Sequence, residues 1–374
     1  MMFSNTNRSL LVQFSEDYAQ IHGRIVFPLT IFGILTSVVT IIILNRKNFQ
    51  TPTNLILQHV AFFDTIVLIS FNIYSFYFYI LHDPNPFVGQ SQFWPRFAIF
   101  HSNIGLAAHS IALWLTCLLA IIRYTIISKT QQVSVNSTYV MILIWLVALV
   151  MCLLMIPNYL VWSVVSVPAH SLLPKSYSSN STETVYWVSS ATGQSLEKIS
   201  FGILAICLKI SPVIILIIFS ILLILSIRHA RQIRERLRHN YSSINSSSNI
   251  KNEMRTTTML VLITLCTVFV ELPQGLLLVA IGIDKKFFII YSHLGDFWDL
   301  TSISSSFITF VMYCSMSQQF RLEMISLLLP SVCIKKSNLE SRQNSLVKKK
   351  NLKQNKKQNC SLIIKKATNI PEDL

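Results

Sequence analysis

Four ionisable residues, Asp64, His109, Lys209 and Glu271, lie inside long apolar stretches of this 374-residue chain. An ionised group in hydrocarbon costs about 2.5–3.5 kcal/mol or more, so each needs a partner, a wet cavity or a task. Two acids, an imidazole and an ammonium can hold an ion pair, relay a proton or bind a charged ligand. Covalent chemistry is poorly served. The chain has no glycine-rich phosphate loop and no nucleophile–base constellation, and only nine glycines in all. Its histidines are scattered, with no Cys/His cluster at metal-ligand spacing. Neither a metal, a cofactor nor an enzymatic activity is expected.

Glu271 sits two residues before Pro273, and Lys209 three before Pro212. Proline frees a backbone carbonyl and bends a membrane helix, so both charges sit beside expected bends. Depth along a helix follows from its rise per residue. His109 lies about 21 Å from Arg123, Glu271 about 24 Å from Arg255 and Lys209 about 28 Å from Arg228. The three fall at comparable depth, while Asp64 lies nearer the middle of its stretch. We expect His109, Lys209 and Glu271 to line the floor of a pocket open on that side. Two uses fit the Lys209–Glu271 pair: the two residues bridge each other and serve structure alone, or Glu271 accepts a cationic ligand group and the bridge is exchanged. His109 also fits a plain helix–helix hydrogen bond.

The elements that must position these groups follow from composition. Of the residues, 52% are hydrophobic and 13% charged, with a mean hydropathy of +0.52, whereas a soluble domain carries about 25% charged residues. Seven stretches reach the roughly 20 apolar residues that cross a bilayer core. They cover about 25–44, 54–80, 97–128, 139–164, 200–227, 256–283 and 287–316. Backbone polar groups find no water in hydrocarbon, so the expected fold is all-α, a seven-transmembrane helix bundle. Phe320, Met324, Ile325, Leu327 and Leu328 form one apolar face of a short membrane-surface helix over 317–332. No cleavable leader is visible, and 1–24 reads as a polar outer segment.

Orientation follows from the basic residues. Of 31 Lys and Arg, 23 fall on the side shared by the C-terminus. That side is expected to be cytoplasmic, with the N-terminus outside, and the net charge of +15 is this asymmetry. Seven spans argue against a nucleic-acid partner. Arg228, Arg231, Arg234 and Arg238 share a helical face, which fits a cytoplasmic docking surface or an anchor among acidic lipids. Composition marks 241–250 and the basic tail 333–374 as disordered. Cys333 fits palmitoylation or a plain tail thiol. Asn7 and Asn180 open glycosylation sequons in expected outer segments. None of the seven cysteines lies in an outer segment, so no extracellular disulfide is expected.

Several motifs occur in order along these spans. They are Ala61-Phe62-Phe63-Asp64, Ile122-Arg123-Tyr124, Trp145, Pro212, and Tyr313 followed by Phe320. Together they resemble the rhodopsin-like class of G-protein-coupled receptors. A narrower set resembles invertebrate myosuppressin and FMRFamide-like peptide receptors and their sex-peptide-receptor relatives. It comprises Arg46-Lys47 with Thr51-Pro52-Thr53-Asn54, His109-Ser110 with Trp114-Leu115-Thr116, and Ile156-Pro157-Asn158-Tyr159-Leu160. Lys209 with Pro212, Glu271-Leu272-Pro273-Gln274-Gly275, and Leu294-Gly295-Asp296 with Asp299 complete it.

The resemblance implies a plasma-membrane receptor for a short extracellular peptide ending in Arg-Phe-amide. It implies a heterotrimeric G protein of the Gi/o type, arrestin and membrane lipids as further partners. Glu271 would pair with the peptide's arginine. Phe97, Phe100 and Trp298 would hold the terminal ring, and Asp299 would join the site. Arg123 and Tyr124 would serve coupling, Glu253 would restrain Arg123 or stand as an ordinary solvated charge, and Asp64, Pro273 and Tyr313 would belong to the switch. The chain departs from the class pattern at Ser37, Ile122 and Thr309-Phe310, so Asp64 loses two expected polar neighbours. Two other readings use the same residues: an ion or proton translocator with Lys209, Glu271 and Asp64 as its pathway, and a divergent receptor with weak coupling.

Overall fold

The computed structural model describes residues 5–81, 91–128, 136–168, 184–190, 194–240, 247–284 and 286–328. Asn180, Cys333 and the basic tail lie outside them, and Asn7 and Glu253 are described only as helix backbone. Helix α1, Asn5–Leu44, is the first span, and it starts well before residue 25. Its early turns carry a ring ladder at four-residue spacing. Phe14 stacks on Tyr18 at 5.6 Å, and Tyr18 meets His22 at 5.5 Å. Rings four apart share a helix face, which extends the helix through a polar stretch.

Helix α2 spans Pro52–Ser75 and continues as a π-helical turn, Phe76–Leu81. Its start is written in Thr51-Pro52-Thr53-Asn54. Thr51 Oγ1 accepts from the Asn54 N–H at 3.2 Å, and Pro52 occupies the first turn, where no N–H is needed. The third span is α3, Phe93–Ser128. Two thirds of its most apolar window is buried, against 28% for the fourth span, so α3 runs through the centre and the fourth span lies at the edge. That fourth span is α4, Ser137–Leu154, then α5, Ile156–Val161, broken at Met155 just before Pro157.

Strands β1, Trp162–Pro168, and β2, Thr184–Ser190, follow as an antiparallel hairpin. Valines at 164, 165, 167, 185 and 188 with Tyr186 and Trp187 suit a pleated ribbon. The sequence reading gave 162–164 to the fourth helix, because a short valine run next to a longer apolar one carries no period of its own. The helix bundle stands as expected, with this hairpin added.

The fifth span is α6, Gln194–Ile203, a π-helical turn, Leu204–Ile210, and α7, Ser211–Asn240. The sixth is α8, Ser247–Ile283. It takes in 247–250, which composition had marked as disordered; three serines and asparagines are absorbed as its opening turn. The seventh is α9, Phe287–His293, and α10, Gly295–Met316, separated at Leu294. Gln318–Leu328 forms a separate helix, α11.

Helix α2 packs on α1 and α3, α3 on α7, α7 on α8, α8 on α10, and α10 back on α1. This closes a ring. Outward-facing Leu35, Leu149, Leu153, Ile221, Leu225 and Phe269 are exposed, as suits a surface that lipid covers. Lipid tails are as apolar as leucine, so the ring must be held by close packing and polar links. Asn72 Nδ2 donates to Thr30 Oγ1 at 2.9 Å between α2 and α1. Ser220 and Thr264 hydrogen-bond at 2.9 Å between α7 and α8. Asn158 Nδ2 donates to Asn103 Oδ1 at 2.8 Å and its Oδ1 accepts from Ser200 at 3.1 Å, joining α5, α3 and α6.

Packing is close at Gly33 of α1, where an added Cβ would lie 3.0 Å from Leu68 Cδ1 and 3.1 Å from Phe307 Cζ. Gly33→Val is therefore expected to destabilise the bundle by about 1–3 kcal/mol, the usual penalty of overpacking. A thermal unfolding midpoint equal to that of the parent chain in detergent would contradict this contact.

Candidate functional site

The sixth span presents Glu271 and Gln274 three residues apart, hence on one face, with Pro273 between them. Pro273 has no N–H, so the helix loses a hydrogen bond at this level. The fifth span presents Lys209 from its π-helical turn. Pro212 explains that turn. It cannot donate in the helical ladder, and neighbours take up the disturbed carbonyls. Trp114 Nε1 donates to the Cys207 carbonyl at 3.2 Å and Ser211 Oγ at 3.0 Å, while Cys117 Sγ lies 3.4 Å from the Pro212 carbonyl. The extra residue in the π turn rotates Lys209 inward, where it is only 2% exposed. Gly275 lets α8 come this close, since an added Cβ would sit 2.9 Å from Ile210 Cδ1 and 3.5 Å from Lys209 Cβ.

These elements converge on one carboxylate. Lys209 Nζ donates to Glu271 Oε2 at 2.6 Å, and His109 Nε2 of α3 meets Oε1 at 2.8 Å. Lys209 Nζ also donates to Gln274 Oε1 at 2.8 Å, and Gln274 Nε2 reaches Tyr291 Oη of α9 at 3.5 Å. Glu271 is 0% exposed, and each of its oxygens has a charged or polar partner. Four spans thus meet at this cluster. The bridge weighed in the sequence reading exists, and His109 makes a helix–helix hydrogen bond through it.

A cavity of about 310 Å³ lies against the cluster. His109, Lys209 and Gln274 form one part of its wall, and Tyr79, Tyr291, Asp296 and Asp299 another. It therefore has an ammonium and carboxylates facing the same space. Tyr79 Oη donates to Asp296 Oδ1 at 2.7 Å. His101 closes a third side. Its ring is stacked on Tyr74 at 4.4 Å, meets Phe71 edge-on at 4.7 Å, and hydrogen-bonds Ser70 through Nδ1 at 2.7 Å.

Of the residues singled out from sequence, His109, Lys209 and Asp299 line this cavity, and Glu271 lies covered beside it. The aromatic trio is not part of the lining. Phe97 stacks on His101 at 6.3 Å, Phe100 is 53% exposed on the bundle surface, and the Trp298 Nε1 is buried without a hydrogen-bond partner among the described residues. The resemblance named these rings for the ligand's terminal ring and carried no information on where they point. Sequence reading named Gln274 and Asp296 only within motifs and did not reach Tyr79, His101 or Tyr291. The signal for Gln274 was its spacing of three from Glu271; the tyrosines carried none.

The remaining candidates lie elsewhere. Asp64 is buried on α2. Arg123 and Tyr124 are at the far end of α3, where the Tyr124 ring packs edge-on against Phe219 at 5.8 Å. Tyr313 is buried near the end of α10. Among the described residues, Cys117, Cys152, Cys207 and Cys266 are free thiols.

Residues 24–330 match the family model described as the serpentine-type 7TM GPCR chemoreceptor Srw. The G-protein coupled receptor dmsr-1 of Caenorhabditis elegans is 29% identical, over 88% of this chain and 72% of that protein. The sex peptide receptor of Drosophila melanogaster is 24% identical, over 82% and 72%. The crystal structure of squid rhodopsin superposes with a TM-score of 0.61 at 15% identity, covering 84% of this chain and 86% of that one. At that identity the likeness shows the fold, a seven-transmembrane bundle.

Breaking a buried pair by removing one partner strands the other charge and costs about 3–5 kcal/mol. Glu271→Ala is expected to lower the unfolding midpoint sharply. Adding Lys209→Met to it should recover much of the loss, because the stranded ammonium is then gone. Equal melting of Glu271→Ala and the parent chain would show that the cluster bears no energetic weight.

Proposed function

The chain belongs to the Srw family of serpentine-type seven-transmembrane G-protein-coupled receptors, and we propose that it is activated by a short amidated peptide of the FMRFamide and myosuppressin kind. Membership in that family favours the receptor reading over an ion translocator and over any enzyme. A curated relative is named for a peptide, the sex peptide receptor. The observation that carries the proposal is the cavity itself, where Asp296 and Asp299 share one space with Lys209, beside the covered carboxylate of Glu271.

At about 310 Å³ the cavity is at the small end of ligand pockets and takes one or two side chains of a peptide, not a whole chain. In this reading the peptide's arginine enters first. Its guanidinium is met by Asp299 and Asp296, which face the cavity, through charge-assisted hydrogen bonds. It then competes with Lys209 for Glu271. The terminal phenylalanine amide packs towards Phe71, Tyr74 and His101, with Phe97 behind them.

Exchange of the Lys209–Glu271 bridge loosens the tie between the fifth and sixth spans, and a ligand that binds the loosened state better shifts the population towards it. Arg123, Tyr124, Tyr313 and the basic face of α7 at Arg228, Arg231, Arg234 and Arg238 then meet a heterotrimeric G protein of the Gi/o type, with arrestin competing for the same end. Asp64 belongs to the switch, and Pro273 bends its helix; the side chain of Glu253 lies outside those described. The receptor sits in the plasma membrane with its N-terminus outside, glycosylated at Asn7 and Asn180 and palmitoylated at Cys333, with α11 as a membrane-surface helix.

Cells expressing the chain should respond to an Arg-Phe-amide peptide by G-protein dissociation and fail to respond to the same peptide as a free acid. Asp299→Asn should shift the dose–response curve right by about tenfold or more, the worth of one charge-assisted hydrogen bond. Glu271→Gln should abolish the response or shift it further, with surface expression retained. Unchanged curves in both variants would remove these carboxylates from the ligand site, and silence across a panel of amidated peptides would remove the peptide.

A further inference from the structure

The cluster at the outer turns of α1 and α10 has no role in the helix packing described above. His22 of α1 is only 2% exposed, and its Nδ1 has no hydrogen-bond partner among the described residues. A buried polar atom left unpaired costs about 1–3 kcal/mol, so its retention needs an explanation. Facing it are Asp296 and Asp299, three apart on one face of α10. One ring nitrogen of His22 and one oxygen from each carboxylate all lie within 4.8 Å of one another. Tyr79 holds the arrangement from the side. Its ring packs on His22 at 5.1 Å and its hydroxyl donates to Asp296 at 2.7 Å. Gly23, next to His22, allows this, because an added Cβ would collide with the Tyr79 side chain. Both carboxylates also line the cavity, so a solute that enters the cavity reaches them.

We propose that His22, Asp296 and Asp299 form a binding site for a borderline divalent transition cation, with Zn2+ as the best fit. An imidazole with two carboxylates and an open position for water is a zinc donor set. Calcium and magnesium take six or more oxygens and have less use for a ring nitrogen. Ligands around zinc stand roughly 3.3 Å apart at bond lengths of about 2.0–2.1 Å. The three donors, at most 4.8 Å apart, therefore reach that geometry by small side-chain rotations. The ion takes a ring nitrogen of His22, relieves the repulsion between the two carboxylates, and ties the first span to the seventh. Resting on the peptide reading above, it also occupies Asp299 and so competes with a cationic ligand group.

The test is on the purified full-length chain in detergent, stripped with EDTA and without peptide, so that it stands apart from the peptide reading. Zinc titration should give saturable binding of one ion per chain, with a rise in the unfolding midpoint that EDTA reverses. Magnesium at the same concentration should give none. Affinity should fall by about tenfold or more in His22→Ala and in Asp299→Asn, at least the loss seen on removing an outer-shell partner. It should be unchanged in His293→Ala, a histidine off the site. Asp299→Asn keeps side-chain shape and remains informative where His22→Ala folds poorly. Absence of zinc binding by the parent chain, which would leave an ordinary His22–Asp contact, overturns the proposal. So does binding that survives in Asp299→Asn.

Discussion

A carboxylate that no water can reach must be neutralised from within the protein. Glu271 is fully covered, and the solution is an ammonium on one oxygen and an imidazole on the other. That requirement fixes much else. Three spans must come within hydrogen-bond distance at one depth. The fifth span must turn Lys209 inward, which its π-helical turn does. The sixth must be approached closely, which Gly275 allows. Hydrocarbon outside the bundle gives no apolar driving force for helix association, so such polar ties carry a larger share of specificity than they would in water. In the reverse direction, a tie made of ions is one that another ion can compete for.

The same depth of the bundle holds a second set of charges with a different status. Asp296 and Asp299 face a cavity, while Glu271 does not. A ligand's cationic group therefore meets the seventh span before the sixth. On the proposed reading, recognition and switching are separated by a few ångströms: recognition at the open carboxylates, switching at the covered one. Loss of the inner bridge matters to the fold as well as to signalling.

Much of this was legible in the sequence, for physical reasons that can be named. The cost of charge in hydrocarbon picked out His109, Lys209 and Glu271, and the rise of a helix put them at one level; the structure joins all three. Span positions followed from apolar length. The hairpin was hidden because Trp162 to Val165 continue an apolar run without a period of their own. The early start of α1 was hidden because its support is a ring ladder, Phe14, Tyr18 and His22, set among polar residues. Phe100 lies exposed on the bundle surface, a direction that the resemblance naming it did not carry. The His22–Asp296–Asp299 cluster was invisible since its members come from opposite ends of the chain, brought together only when α10 closes the ring on α1.

Charge pairing between Lys209 and Glu271 ties the fifth span to the sixth, and exchanging the two residues tests it directly. Lys209→Glu alone and Glu271→Lys alone each place like charges together in a dry interior, and both should fail to reach the cell surface or melt far below the parent chain. The double exchange restores opposite charges at the same two positions and should recover surface expression and a large part of the melting temperature. A double variant that melts as low as the two single losses combined would contradict the claim that this pair holds the bundle.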